Sequence, residues 1–260
     1  TVTDIGEKTF YSCPALKEAI IRAGTVKAGT FYNCRALTTL IISDNATLDA
    51  SFTAKNAYAN GTLETVKIGK GEIGNSAFNG CPNLATVELG DGVTSIGKNA
   101  FLRCTALTSI TIGDRVTSIG DSAFNGCTTL EAANIGSGSI GASAFQNCSR
   151  LATVELGGGV TSIGKNAFLK CTALTSMNIG SSVKTIESYA FSGCAALEEV
   201  TISAAQIGNQ AFRSANALKK VTLGDGVENI PAGAFSNCGM GYKNNSPELY
   251  LKAGTWTSNG

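Results

Sequence analysis

The chain contains no histidine. That absence removes the Ser-His-Asp and Cys-His nucleophilic arrangements, and every histidine-ligated metal site that the chain could build alone. Charge is also scarce: only 15% of residues are charged, and 20 Lys and Arg stand against 19 Asp and Glu. With no basic stripe to neutralise phosphates, nucleic-acid binding lacks its electrostatic footprint. No apolar run approaches the roughly 20 residues that a helix needs to cross a bilayer, so no membrane insertion is expected within this chain. No Gly-Lys-Ser/Thr follows Gly157-Gly158-Gly159, which excludes a phosphate loop there. Carboxylates fall at turns (Asp91, Asp114, Asp225) or at strand positions that point outward (Glu88, Glu155). The Gly-Asp-Gly turns carry too few ligands for a calcium-binding repeat, and their ordinary use is an Asx-type turn. The expectation is a non-enzymatic protein with no catalytic residue, no metal and no cofactor.

What the chain does have is a ruler of phenylalanines. They stand at Phe10, Phe31, Phe78, Phe101, Phe124, Phe145, Phe168, Phe191, Phe212 and Phe235. Nearly all sit in one frame, I-G-x-x-A-F-x-x-C-x-x-L-x-x-[VI]-x-[IL], of which Ile96 to Ile112 is a clean copy. A unit this short cannot bury its apolar face alone, so a fixed period in the low twenties implies a solenoid of stacked coils. From Phe78 onward the spacing runs 23, 23, 21, 23, 23, 21 and 23 residues, which makes three coils a larger unit of 67. Leu84–Gly113 and Leu151–Gly180 are offset by that length and differ only at Asp91/Gly158, Arg103/Lys170, Ile110/Met177 and Thr111/Asn178. A three-coil block has been duplicated recently. One coil is degenerate: Ala57 takes the Phe position, Asn60 the Cys position and Phe52 an Ile position, with Tyr58 expected to fill the vacated ring volume. The inserted residues fall within Ser43 to Ala57, the expected bulge on the wall.

Period also predicts local structure. Leu84-x-x-Val87-x-Leu89 alternates, which predicts a strand with Val87 and Leu89 inward and Thr86 and Glu88 outward. Val93 to Ile96 predicts a second, shorter extended piece. Asn99 to Cys104 is too short for a free helix and is expected to form a helical turn at the corner. Parallel stacking of such coils gives sheets along the solenoid. Residues 1–238 are expected to form about eleven coils. Residues 239–260, where the frame is lost and Tyr242 and the single Trp256 appear, are expected to supply a final strand and part of a C-terminal cap.

All nine cysteines occupy one slot of the frame: Cys13, Cys34, Cys81, Cys104, Cys127, Cys148, Cys171, Cys194 and Cys238. A disulfide ladder and a metal site are the sharp readings. Stacked coils hold Cβ atoms about 4.8 Å apart, whereas a disulfide needs roughly 3.8 Å, and a straight column does not converge on a metal. The column is therefore read as free, buried thiols. The structural ladder is Phe78, Phe101, Phe124, Phe145, Phe168 and Phe191 beside Cys81, Cys104, Cys127, Cys148, Cys171 and Cys194. The candidate binding face is the outward row of the main strands: Thr86, Glu88, Ser109, Thr111, Asn134, Thr153, Glu155, Ser176, Asn178, Glu199 and Thr201. The same residues also suit a merely solvated strand face, because Thr is a good exposed strand residue.

The extended frame L-x-x-[VI]-x-[IL]-G-x-x-V-T-S-I-G-x-x-A-F-x-x-C closely resembles the BspA-type (Treponema-pallidum-type) leucine-rich repeat over about residues 5–238. The resemblance implies a leucine-rich-repeat solenoid with parallel β strands in each coil and short helical turns, wound as a curved right-handed superhelix. It also implies an extracellular or cell-surface protein that adheres to host, matrix or bacterial surface proteins, with glycans as a further partner class. A structural spacer or stalk that projects another domain stays open as the alternative. The motif itself defines no ligand-binding residue.

Overall fold

β-branched residues at every second position make strands, and each strand finds its hydrogen-bond partner one coil away. The computed structural model describes residues 3–49, 52, 62–204, 206–238 and 248–251. Main strands form one wall: β2 (Glu18–Ile21), β4 (Thr39–Ile42), β6 (Thr65–Ile73), β7 (Thr86–Ile96), β8 (Ser109–Ile112), β10 (Ala132–Ile140), β11 (Thr153–Ile163), β12 (Ser176–Ile179), β14 (Glu199–Ile202), β16 (Lys220–Leu223) and β17 (Glu248–Leu251). Shorter strands form a second wall: β1 (Asp4–Ile5), β3 (Gly24–Val26), β5 (Ala46–Leu48), β9 (Ser118–Ile119), β13 (Thr185–Ile186) and β15 (Gln206–Ile207). The far halves of β6, β7, β10 and β11 continue that wall. The paired strands are parallel throughout. The fold is the expected parallel-strand solenoid. Apart from β17, which pairs with β16, residues 239–260 lie outside the described residues, and so do Ala57, Tyr58 and Asn60. Within the stretch expected to bulge, Ala46–Leu48 instead forms β5 on β3.

The corners are not helical turns, and no helix occurs among the described residues. An α-helix is about 10 Å across with its side chains and cannot stack at a coil spacing of about 4.8 Å. Instead the backbone alternates in hand. The residues two before and two after each Phe of the frame, Phe52 apart, are left-handed: Asn99 at φ 57° and Arg103 at 58° flank Phe101, and Asn166 at 59° and Lys170 at 61° flank Phe168. Asn99, Phe101 and Arg103 donate their N–H groups across to Asp121, Ala123 and Asn125 of the next coil, at 2.9, 2.7 and 2.8 Å. The amides between them, Ala100, Leu102 and Cys104, close three-residue turns onto Gly97, Asn99 and Phe101. Every second peptide thus serves the neighbouring coil and the others serve the corner itself. The signal was in the sequence: Asn and Gly, which tolerate left-handed backbone, recur at these two positions together with Ser.

The core is a set of columns. Phe rings from Phe78 to Phe235 stack on their neighbours with centroids 5.0–5.3 Å apart and planes within 12°. Each such pair adds about 0.5–1.5 kcal/mol beyond its burial. In the degenerate coil Phe52 is buried and leans against Phe78 at 6.0 Å and 53°. It keeps an aromatic ring against the column.

The main wall is interrupted twice. β6 pairs with β7, and β8, β10 and β11 pair in series, as do β12, β14, β16 and β17. No ladder joins β7 to β8 or β11 to β12. The two gaps are 67 residues apart. β6, β7, β10 and β11 run straight through into the second wall as single strands. By contrast β8 and β12 stop and turn, Val116 donating to Gly113 and Val183 to Gly180. The main strands separate where a straight coil is followed by a turned one, β7 by β8 and β11 by β12, whereas turned β4 and β8 pair with the straight β6 and β10 that follow them. Glycines record the difference. A Cβ on Gly90 would lie 2.6 Å from the Gly69 carbonyl oxygen, and one on Gly157 2.5 Å from that of Gly136. The corresponding Gly113 and Gly180 have nothing within 4 Å.

Candidate functional site

Strand register sorts the outward face into columns. On the first position Thr65 stands beside Thr86, Ala132 between Ser109 and Thr153, and Glu199 between Ser176 and Lys220. On the second, Lys67 stands beside Glu88, Asn134 between Thr111 and Glu155, and Thr201 between Asn178 and Thr222. All the residues named for this face from the sequence are exposed. The structure brings them together in short runs, not in one unbroken array, because the gaps at β7/β8 and β11/β12 divide the face.

The electrostatics of the face are local and nearly neutral. Lys67 pairs with Glu88 at 2.8 Å and Lys220 with Glu199 at 3.4 Å, each across one coil step. Arg150–Glu131 and Lys219–Glu198, both at 3.0 Å, lie just before their strands. Exposed pairs of this kind contribute about 0–1 kcal/mol. Glu155 stands beside Asn134, where Glu88 has Lys67, and makes no ion pair among the described residues. The N-terminal end of the face is more apolar: Ile20 is 45% exposed and lies in register with Ile41. At the N-terminal corners, Tyr11 and Tyr32 stack at 5.0 Å and 3°. This aromatic pair, exposed at Tyr11 and half-buried at Tyr32, was not singled out from the sequence, although the dipeptides Phe10-Tyr11 and Phe31-Tyr32 carry its signal.

The thiol column has a distinct chemistry. All nine cysteines are free, seven of them buried and the end pair, Cys13 and Cys238, half-buried. Each central Sγ donates to the carbonyl of the Phe one coil back. Cys104 reaches Phe78 O at 3.3 Å, and Cys127, Cys148 and Cys171 reach Phe101, Phe124 and Phe145 O at 3.2 Å. That Phe oxygen also accepts the amide of its own coil's cysteine, as Cys104 N–H to Phe101. Cysteine thereby satisfies a buried acceptor while behaving as a small core residue. Burial pushes the thiols of Cys104, Cys148 and Cys194 up to about 12, and those of Cys127 and Cys171 well above their ordinary value. Such thiols are poor nucleophiles. Among the described residues no group of three or more Cys, Asp or Glu converges on a metal-sized site.

A sequence model of the BspA type leucine rich repeat region matches the chain in six copies, over residues 1–71, 51–139 and 133–241. Among solved structures, a leucine-rich repeat protein from Eubacterium ventriosum aligns over 99% of this chain and 83% of its own, at 19% identity and a TM-score of 0.52. It shares the fold. A leucine rich cell surface protein from Faecalibacterium prausnitzii aligns over 90% of this chain and 79% of its own, at 25% identity and a TM-score of 0.41. The leucine rich repeat protein of T. pallidum aligns over 77% of each chain at 22% identity and a TM-score of 0.45. No curated protein matches the chain in sequence.

Proposed function

We propose that this chain, which belongs to the BspA-type leucine-rich repeat family, is a non-enzymatic protein-interaction module that works at the cell surface or outside the cell. Its partners are host, matrix or bacterial surface proteins, with surface glycans as a second class, and its binding surface is the outward main face. One observation carries this reading: Thr, Ser, Asn and Glu side chains from successive coils are held in register and exposed. Individually weak contacts repeated along such a face add up by multivalency, which suits adhesion. The absence of a strong field means that capture depends on fit, so binding should vary only mildly with salt.

A spacer is the second reading, and the near-identity of Leu84–Gly113 and Leu151–Gly180 favours it, because repetition of that kind adds length without adding chemistry. A binding screen against matrix proteins, host-cell surfaces and bacterial glycans separates the two. For the interaction module, a positive partner is lost when Glu88, Thr153, Glu155 and Asn178 are together replaced by Lys. A partner that still binds this variant but not one altered between Tyr242 and Trp256 moves the site off the face. A screen with no partner makes the spacer the better account.

A further inference from the structure

A regular frame makes its exceptions informative. The residue after the second inward position of a main strand is Gly or Ser in every coil from β4 to β16, as at Ser43, Gly69 and Gly136; in the coil of β2 it is Arg22. The residue after that is Ala, Asp, Ser or Gly from β2 to β16, except in the coil of β6, where it is Lys70. The two exceptions meet. Arg22 and Lys70 line one cavity of about 550 Å³ beside the N-terminal strands of the second wall, together with Thr3, Thr25, Asn45 and Thr47. No carboxylate is in the lining, and neither cation has an ion pair among the described residues. Nearby carboxylates are placed elsewhere: Asp4 is held by Lys27 at 3.4 Å, Asp44 has its Oδ1 against Gly69, and Glu72 lines a different cavity with Asn75 and Lys98. β3 and β5 set Thr25 beside Thr47 with their Oγ1 atoms 3.3 Å apart. One hydroxyl donates to the other, so the acceptor's own proton stays available to a ligand.

We propose that this cavity binds a saccharide through a sulfate or phosphate group that the sugar carries. The inference goes beyond the interaction reading, because the site lies off the outward main face and selects its ligand by charge. Two cations without a carboxylate select an anion. Arg offers a flat fork of donors that matches two oxygens of an oxyanion, and Lys adds a point charge. The volume falls within the range of about 300–1,000 Å³ usual for small-molecule sites, more than a bare oxyanion fills. The rest of the lining selects a sugar. Thr3, Thr25, Asn45 and Thr47 can exchange hydrogen bonds with sugar hydroxyls, and no aromatic ring or large aliphatic side chain is present to seat a nucleobase or an acyl chain.

The test follows amide resonances of the isotope-labelled whole chain at low salt. Glucose 6-sulfate and glucose 6-phosphate should shift the amides of Thr25, Asn45, Thr47 and Lys70 saturably, and plain glucose at the same concentration should not. Inorganic sulfate should shift the same amides with about tenfold weaker affinity. Raising sodium chloride should weaken the sugar esters severalfold, unlike a partner held by the main face. The Arg22→Gly, Lys70→Ser double variant restores the residues that other coils carry at these places, so the frame is kept. It should bind the sugar esters about tenfold more weakly or worse, and Arg22→Gln, Lys70→Gln, which keeps the bulk of the side chains, should lose as much. No saturable shift with either ester, or undiminished binding by both double variants, overturns the site. Inorganic sulfate bound as tightly as the esters, or a phosphoserine peptide bound more tightly, overturns the sugar as its occupant. The partner screen on the outward face is judged by its own outcome, so either reading can fail alone.

Discussion

A buried thiol keeps its proton here because its thiolate would lie in a dry column. That ties the stability of the fold to pH. In an unfolded chain cysteine ionises near about 8.5; in the fold Cys104, Cys148 and Cys194 stay protonated up to about 12. Between those values the folded state binds more protons than the unfolded one, so stability is full below about 8.5 and falls as pH rises. Each such cysteine costs about 1.4 kcal/mol per pH unit through that window. Chemical unfolding followed from pH 7 to 11 should show a steep alkaline loss, and Cys148→Ala should flatten it slightly. A native protein at neutral pH should react with a thiol reagent mainly at half-buried Cys13 and Cys238, and a denatured one at all nine positions. Several disulfides in the intact mass would contradict this. The thiol column was legible in the sequence because a single-file slot can only be a core column in a stacked solenoid. Its hydrogen bond was not, since which carbonyl a Sγ reaches depends on the offset between coils.

The coil is the element of this protein, and its cost of failure depends on its neighbours. Phe145 is sandwiched between Phe124 and Phe168 at 5.0 and 5.2 Å, whereas Phe10 touches one ring, Phe31, and is only half-buried. Phe145→Ala should therefore lower unfolding stability by about 3–5 kcal/mol, and Phe10→Ala by clearly less; equal losses in denaturant titration would argue against a stacked linear core. Strand positions were legible because Val87, Glu88 and Leu89 and their counterparts alternate with period two. The corner was misread as a helical turn because Phe101 and Cys104 are three apart, a spacing that a helical turn shares with an alternating-hand corner. Asn99, Gly80 and Gly126 at the left-handed positions were the discriminating residues. The gaps in the main wall were not legible at all. Leu107 to Gly113 obeys the frame as well as any other stretch, and the separation arises where a straight coil is followed by a turned one but not in the reverse order, a relation that no single coil encodes.

At the scale of the whole molecule the unit is the three-coil block. β6, β7, β8 and β9 recur as β10, β11, β12 and β13, each displaced by 67 residues. Deleting residues 84–150 joins Asn83 to Leu151 and preserves the Phe, Cys and Leu columns and the register. The shortened chain should unfold cooperatively with a melting temperature close to that of the parent, checked by circular dichroism; an equally long deletion begun mid-frame should not fold. Near-identity of the two blocks carries a further consequence. Were the two stretches as alike in the gene as they are in the protein, misaligned recombination between them would gain or lose one whole block at a time. Every product of such an exchange would keep its frame, so length could change by whole blocks while the Phe, Cys and Leu columns stay in line.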